Sequence, residues 1–123
     1  MLSLEKLTIA ITARNILLED EDIQRLVGNR IYPSIAPTGT PSPHIVYERD
    51  AYEVENVKFG EVREIARITY VIVSDDYDIG LEIAVAIHRV LQGEHGDETY
   101  EIVDSAERHE EGKFLQIIDF KIT

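Results

Sequence analysis

Apolar and polar residues alternate along two stretches in the middle of the chain, HIVYERDAYEVENV beginning at His44 and EVREIARITYVIVS beginning at Glu61, which meet at Lys58, Phe59 and Gly60. Period two is the mark of a strand. In the second stretch Val62, Ala66, Ile68, Tyr70 and Ile72 share one face and Arg63, Arg67 and Thr69 the other, until Val71 and Val73 make both faces apolar. The pattern predicts a hairpin arm, exposed at its tip and buried at its base. On either side the period becomes helical. Ser3 is placed to cap a helix reaching Leu18, with Leu4, Leu7, Ile11 and Leu18 on one stripe and Ile9, Ala13 and Ile16 on another, so this helix is expected to touch two surfaces. A short helix through Val27 follows, its acidic start at Glu19, Asp20, Glu21 and Asp22 suiting the helix dipole and Gly28 stopping it.

After the arm, a helix over about 78–91 presents Ile79, Ile83, Ile87, Val90 and Leu91 to a core, with Asp75, Asp76 and Asp78 at its start and Gly93 closing it. Residues 94–97 read as a polar turn. Strands over about 99–107 and 114–122, joined at Glu110, Glu111 and Gly112, make a second hairpin. The order predicts one α+β domain over 1–123, a largely antiparallel sheet built from two hairpins with helices packed on one face. A strand, helix, strand crossover between the hairpins is expected to be right-handed if its strands are parallel.

Two features do not serve a core. Pro33, Pro37, Pro41 and Pro43, with Gly39 among them, deny helix and central strand to 33–43 and predict a stiff surface loop, longer than most connections and suited to a contact role. With Val57 and Phe59 at the arm tip it forms the candidate partner-contact region. On the 78–91 helix, the face carrying Glu82, Arg89 and Gln92 also holds Leu81 and Val85, one turn apart. Either the two are ordinary exposed apolar residues, or Ile9 and Ile16 of the first helix cover them, or they make a subunit contact; Leu81, Val85, Ile9 and Ile16 are the candidate interface.

Charge narrows the partners. Twelve Lys and Arg against 24 Asp and Glu give −12, which opposes binding to a phosphate backbone or an anionic membrane and also opposes self-association in dilute solution. The absence of cysteine excludes disulfide and thiol chemistry. The start of the chain has no basic leader and no unbroken apolar run of membrane-spanning length, which reads as synthesis in the cytosol.

Chemistry-bearing patterns are sparse. His44, His88, His95 and His109 match no zinc spacing, and the Asp75, Asp76, Asp78 group has Gly80 out of register for a calcium loop, so capping is the better reading. Neither GEHG at Gly93 nor Gly112 with Lys113 forms a phosphate loop. A triad drawn from Ser74, His88 and Asp104 has no support beyond composition. No catalytic, cofactor or metal residue is expected, and the reading is of a protein that is not an enzyme.

Arg30, Ile31, Tyr32 and Pro33, then Ala36 and Pro37, then Pro43, His44, Ile45, Val46 and Tyr47 resemble the signature of the small tail-completion proteins of tailed bacteriophages and prophages. The strand from Arg67 to Val73, the Asp-rich break, the helix to Leu91 and the closing Asp119, Phe120, Lys121 and Ile122 fall where that family has its corresponding elements. Nearly the whole chain is covered, though the motifs are structural prolines and apolar strands, and the acidic span 54–64 departs from the pattern. The resemblance implies a structural virion protein without cofactor, a tail terminator at the tail-head junction that is assembled in the bacterial host cytoplasm. It implies a hexameric ring that caps a finished tail tube, stops its polymerisation and offers a docking surface, so that the partners are further copies of itself, a tail tube protein and a head connector protein. The residues alone leave open a small dimeric α+β ligand-binding module, which would show a concave apolar pocket with convergent polar groups.

Overall fold

Both alternating stretches are strands and pair with each other, as β2 (His44–Asn56) and β3 (Val62–Ser74), in the computed structural model, which describes residues 4–123. Ile45 faces Ile72 and Tyr47 faces Tyr70 across this ladder, putting their side chains on one buried face. A bulge at Asp50 shifts the register once. The second hairpin, β5 (Glu98–Glu110) and β6 (Lys113–Ile122), turns at Glu111 and Gly112, whose φ values of 50° and 78° suit the tight turn between twisted strands.

The sheet is not simply two hairpins. It has six strands in the order β1-β2-β3-β6-β5-β4 and curls as a half-barrel. The short β1 (Ile31–Pro33) adds to β2 in parallel, and β4 (Gly93–His95) adds antiparallel to β5 where the sequence suggested only a turn. The hairpins join through β3 and β6, antiparallel, so β3 and β5 run parallel with β6 between them. Beyond β1 and β4, the outer edges of β2 and β5 run on unpaired. They are blunted by the Asp50 bulge, a second bulge at Val103, and exposed Glu48, Glu53, Glu55, Glu101, Asp104 and Glu110.

Helices α1 (Ile9–Leu18), α2 (Glu21–Val27) and α3 (Tyr77–Leu91) cover one face. The first helix corrects the expected face. It begins at Ile9 after a 3-10 turn at Glu5–Leu7, so its phase is set by Ile9, Ala13 and Leu17, all buried, while Leu4, Leu7 and Ile11 are exposed. The expected Ser3 cap lies outside the described residues. Asp20 caps α2 through Ile23 N–H at 3.1 Å, and Asp76 caps α3 through Ile79 N–H at 3.0 Å. Within α3, Ile83, Ile87 and Leu91 are buried as expected, but Ile79 is exposed on the first turn, and the small Gly80, Ala84 and Ala86 complete the inner face. A Cβ on Gly80 would lie 3.4 Å from that of Ser74, so the helix rides close to β3 there.

The core stacks Tyr47, Tyr70 and Phe120, with Tyr70 edge-on to Phe120 at 6.1 Å. The hydroxyls of Tyr70 and Tyr100 are buried without a hydrogen-bond partner among the described residues. Burial pushes the Tyr100 phenol up to about 12 and Tyr70 further in the same direction. At one end of the sheet, Lys6 Nζ meets Glu98 Oε2 at 2.6 Å.

Candidate assembly surfaces

Three exposed regions are candidates. The first is the arm. Because β6 ends with Ile122 opposite Ala66, residues 62–65 and their partners in β2 continue as a two-stranded ribbon. Its tip is a 3-10 turn, Lys58–Gly60, where Val57 N–H donates to Glu61 O at 2.9 Å. Val54 and Val57 are exposed there, and Phe59 is 98% exposed. Farther down, Tyr52 Oη donates to Glu64 Oε1 at 2.6 Å, the same oxygen that accepts Leu4 N–H at 3.1 Å.

The second region is the proline loop, Ser34 to Pro43, which joins two parallel neighbours and is tied at its base. Arg30 Nε donates to Pro43 O at 2.9 Å, Ser34 N–H to Tyr47 O at 2.9 Å, and Asp75 N–H to Ser42 Oγ at 2.8 Å. Pro33, Pro37 and Pro41 are exposed and Pro43 is half-buried, while Ile35 stands 79% exposed. Pro33 itself ends β1.

Beside the loop base, His44 packs edge-on to Tyr32 at 6.5 Å with its Nδ1 buried and, among the described residues, unpartnered. Burial lowers its pKa, and the positive charges of Arg30 and Lys113 add to the effect. The folded form thus binds this proton less readily than the unfolded chain. Stability from neutral His44 is complete above the unfolded pKa of about 6.5 and is lost as pH falls through the lower folded value. Tm is therefore expected to fall between about pH 7 and 5, and His44→Phe is expected to flatten that slope. An unchanged slope in the variant would place the effect elsewhere.

The third region is the outer side of α3. Leu81 and Val85 are 40% and 61% exposed, so the first helix does not cover them. Ile9 is buried in the core and Ile16 packs against it, which removes Ile9 from the surface and separates both from the ridge. Instead Leu81 and Val85 edge an open groove of about 210 Å³, floored by Ala84, Ile102 and Ile118, with His88, Ser105 and Gln116 as its polar lining. Sequence periodicity did not single out Ile102 or Ile118 for a surface role, because their apolar spacing is that of any buried strand. At the end of the groove, Gln116 Nε2 and Tyr77 Oη donate to Glu107 Oε2 at 2.6 and 2.5 Å and hold that carboxyl below its usual range. On the other flank of Val85, Arg89 bridges Asp20 and Asp22, and Arg25 reaches Glu82 at 3.1 Å.

Ser74 spends its hydroxyl on Asp76, donating to its carbonyl at 2.7 Å and accepting its N–H at 3.1 Å, so it is not aligned with His88 as a nucleophile. Asp75 pairs with Lys113. Among the described residues no three His, Cys, Asp or Glu side chains are grouped to hold a metal ion, and no helix is long and apolar enough to cross a membrane.

No protein-family model matches the chain, and no curated protein matches it. A solved structure does: a chain from the virion of a native gene transfer agent particle, with a TM-score of 0.77 at 14% identity, covering 89% of each chain. This chain therefore shares its α+β fold with that virion component over almost the full length of both.

Proposed function

We propose that the protein is a structural component of a phage-like virion, a tail-completion protein that caps a tail tube as a ring, ends its polymerisation and presents a surface to a head connector. The observation that carries this reading is the fold shared with a gene transfer agent virion chain across 89% of both molecules. The tail-completion assignment adds the resemblance of the Arg30–Pro33 and Pro43–Tyr47 segments to that family. Its partners are further copies of itself, six to a ring as the family resemblance implies and closed by head-to-tail contacts, together with a tail tube protein and a head connector protein.

 In this reading the arm, the proline loop and the α3 ridge are the subunit and partner contacts, and no catalytic group is required of the chain.

The acidic, bulged edges of β2 and β5 oppose the sheet-edge pairing that a dimeric ligand-binding module would use. The α3 groove, at about 210 Å³, is also smaller than the roughly 300–1,000 Å³ of most small-molecule sites. The test is co-expression with the tail tube protein of the same particle, followed by electron microscopy of the tubes. The expected result is tubes of limited length, each ending in a ring of this protein. Tubes that grow without limit and carry none of it at their ends would overturn the reading, and a salt-independent dimer in solution would favour the ligand-binding module.

A further inference from the structure

Phe59 stands out from the molecule at the tip of the arm. It is 98% exposed at a φ of 66°, a left-handed conformation that a bulky side chain rarely adopts, and the turn that carries it is closed by the Val57 to Glu61 hydrogen bond. Exposed Val54 and Val57 flank it. An aromatic side chain has only two χ angles to fix, so such a knob loses little side-chain freedom on binding. Elsewhere on the same chain lies a hole of matching chemistry, the groove between α3 and the β5–β6 hairpin, edged by Leu81 and Val85 and floored by Ala84, Ile102 and Ile118.

We propose that Phe59 of one copy seats in the α3 groove of a second copy, so that each subunit's arm grips the next. Size permits it: the groove is about 210 Å³, and an apolar cavity of about 150 Å³ accepts a benzene ring. Geometry selects a second copy as the occupant. The groove lies level with Tyr70, which pairs with Ile118, about eight residues along β3 from Val62, or roughly 26 Å at the rise of a strand. The arm is a continuous ladder up to Val62 and Asn56, so it does not fold back to its own groove. Knob and groove are different surfaces, so the contact is head-to-tail and can propagate from copy to copy.

The scale of the contact also fits. Burying one aromatic side chain removes about 150–250 Å² from water, well short of the roughly 1,200–2,000 Å² of a stable pairwise interface. One such contact is weak, and several made together around a closed assembly reinforce one another. Closure into a ring rests on the function proposed above; the contact itself does not.

Two variants test it. Phe59→Asp removes the knob and keeps the groove, and Val85→Asp spoils the groove and keeps the knob; both positions are exposed, so both chains are expected to fold. Leu81→Lys is a second groove variant should Val85→Asp melt early. At about 1 mM, where weak contacts become populated, each variant alone is expected to be monomeric by sedimentation. Their mixture is expected to give a one-to-one dimer, with the Ile102 and Ile118 methyl resonances shifting only in labelled Phe59→Asp. Two folded variants that form no mixed dimer would overturn the proposal, as would Phe59→Asp self-associating like the wild type. A mixed dimer from a protein that never forms rings on tube ends would leave the contact standing and sink the ring.

Discussion

Phe120→Ala is expected to cost about 4 kcal/mol, within the range for deleting a buried phenylalanine ring. Phe120 is fully buried in β6, between Ile68 on one neighbouring strand and Ile102 on the other, and its ring meets the edge of Tyr70 at 6.1 Å. The ring is bounded by a ladder on both sides and by helices above, so its neighbours cannot close the space without breaking strand pairing. A domain of ordinary stability holds only about 5–15 kcal/mol, so this loss leaves little or no margin. Phe120→Leu keeps most of the volume and is expected to cost about 1 kcal/mol. Urea unfolding at constant m-value measures both; an alanine variant losing less than about 1.5 kcal/mol would mean that the core collapses around the gap.

The second large effect belongs to Lys6 and Glu98. Their charged groups meet at 2.6 Å, and the side chains are 11% and 13% exposed. Lys6 sits on the 3-10 turn before α1 and Glu98 begins β5, so the pair ties the start of the described chain to the far side of the sheet. Lys6→Ala leaves a nearly dry carboxylate without its partner, at a cost of about 3 kcal/mol, the low end for breaking a buried pair because both groups keep some contact with water. The double change Lys6→Met with Glu98→Gln is expected to restore most of that loss, since an uncharged pair of similar volume is often as stable as the ion pair it replaces. The readout is a double-mutant cycle in chemical denaturation. A single-variant cost below about 1 kcal/mol would show that the pair behaves as a surface one.

How far the sequence led can be judged element by element. The long strands were legible because period two persists through them and a one-residue slip would turn Ile68, Tyr70 and Ile72 outward. Caps at Asp20 and Asp76 were legible because side-chain acceptors there answer unpaired helix N–H groups. The face of α1 was not. Starting the helix at Ser3 gives one phase and starting it at Ile9 another, and only packing against α3 and β2 decides between Leu7 and Leu17. The inner face of α3 was half legible: Ile83 and Ile87 announce themselves, but Gly80 and Ala84 face inward because the helix lies close to the sheet, which hydropathy does not register. β4 is too short to show a period. Insertion of β6 between β3 and β5 is a choice among pairings that local pattern leaves equivalent.

Among the candidate surface residues, Leu81, Val85 and Phe59 were legible as apolar positions where polar ones were expected. Ile102 and Ile118 were not, since a strand residue becomes groove lining only when the helix above stops short of covering it. Ile9 was misplaced for the reason that α1 was: its stripe is the inner one.

The sequence contains six tyrosines and no tryptophan. The near-ultraviolet circular dichroism of this protein consequently comes from tyrosine and phenylalanine, and the interlocked rings of Tyr47, Tyr70 and Phe120 contribute to it from the centre of the core. Phenolate absorbance adds a second optical channel. Tyr70 and Tyr100 resist ionisation while buried, so their late deprotonation in an alkaline titration coincides with the opening of the core. The molecule thus carries an internal, label-free indicator that separates loss of its centre from rearrangements of the arm or the proline loop.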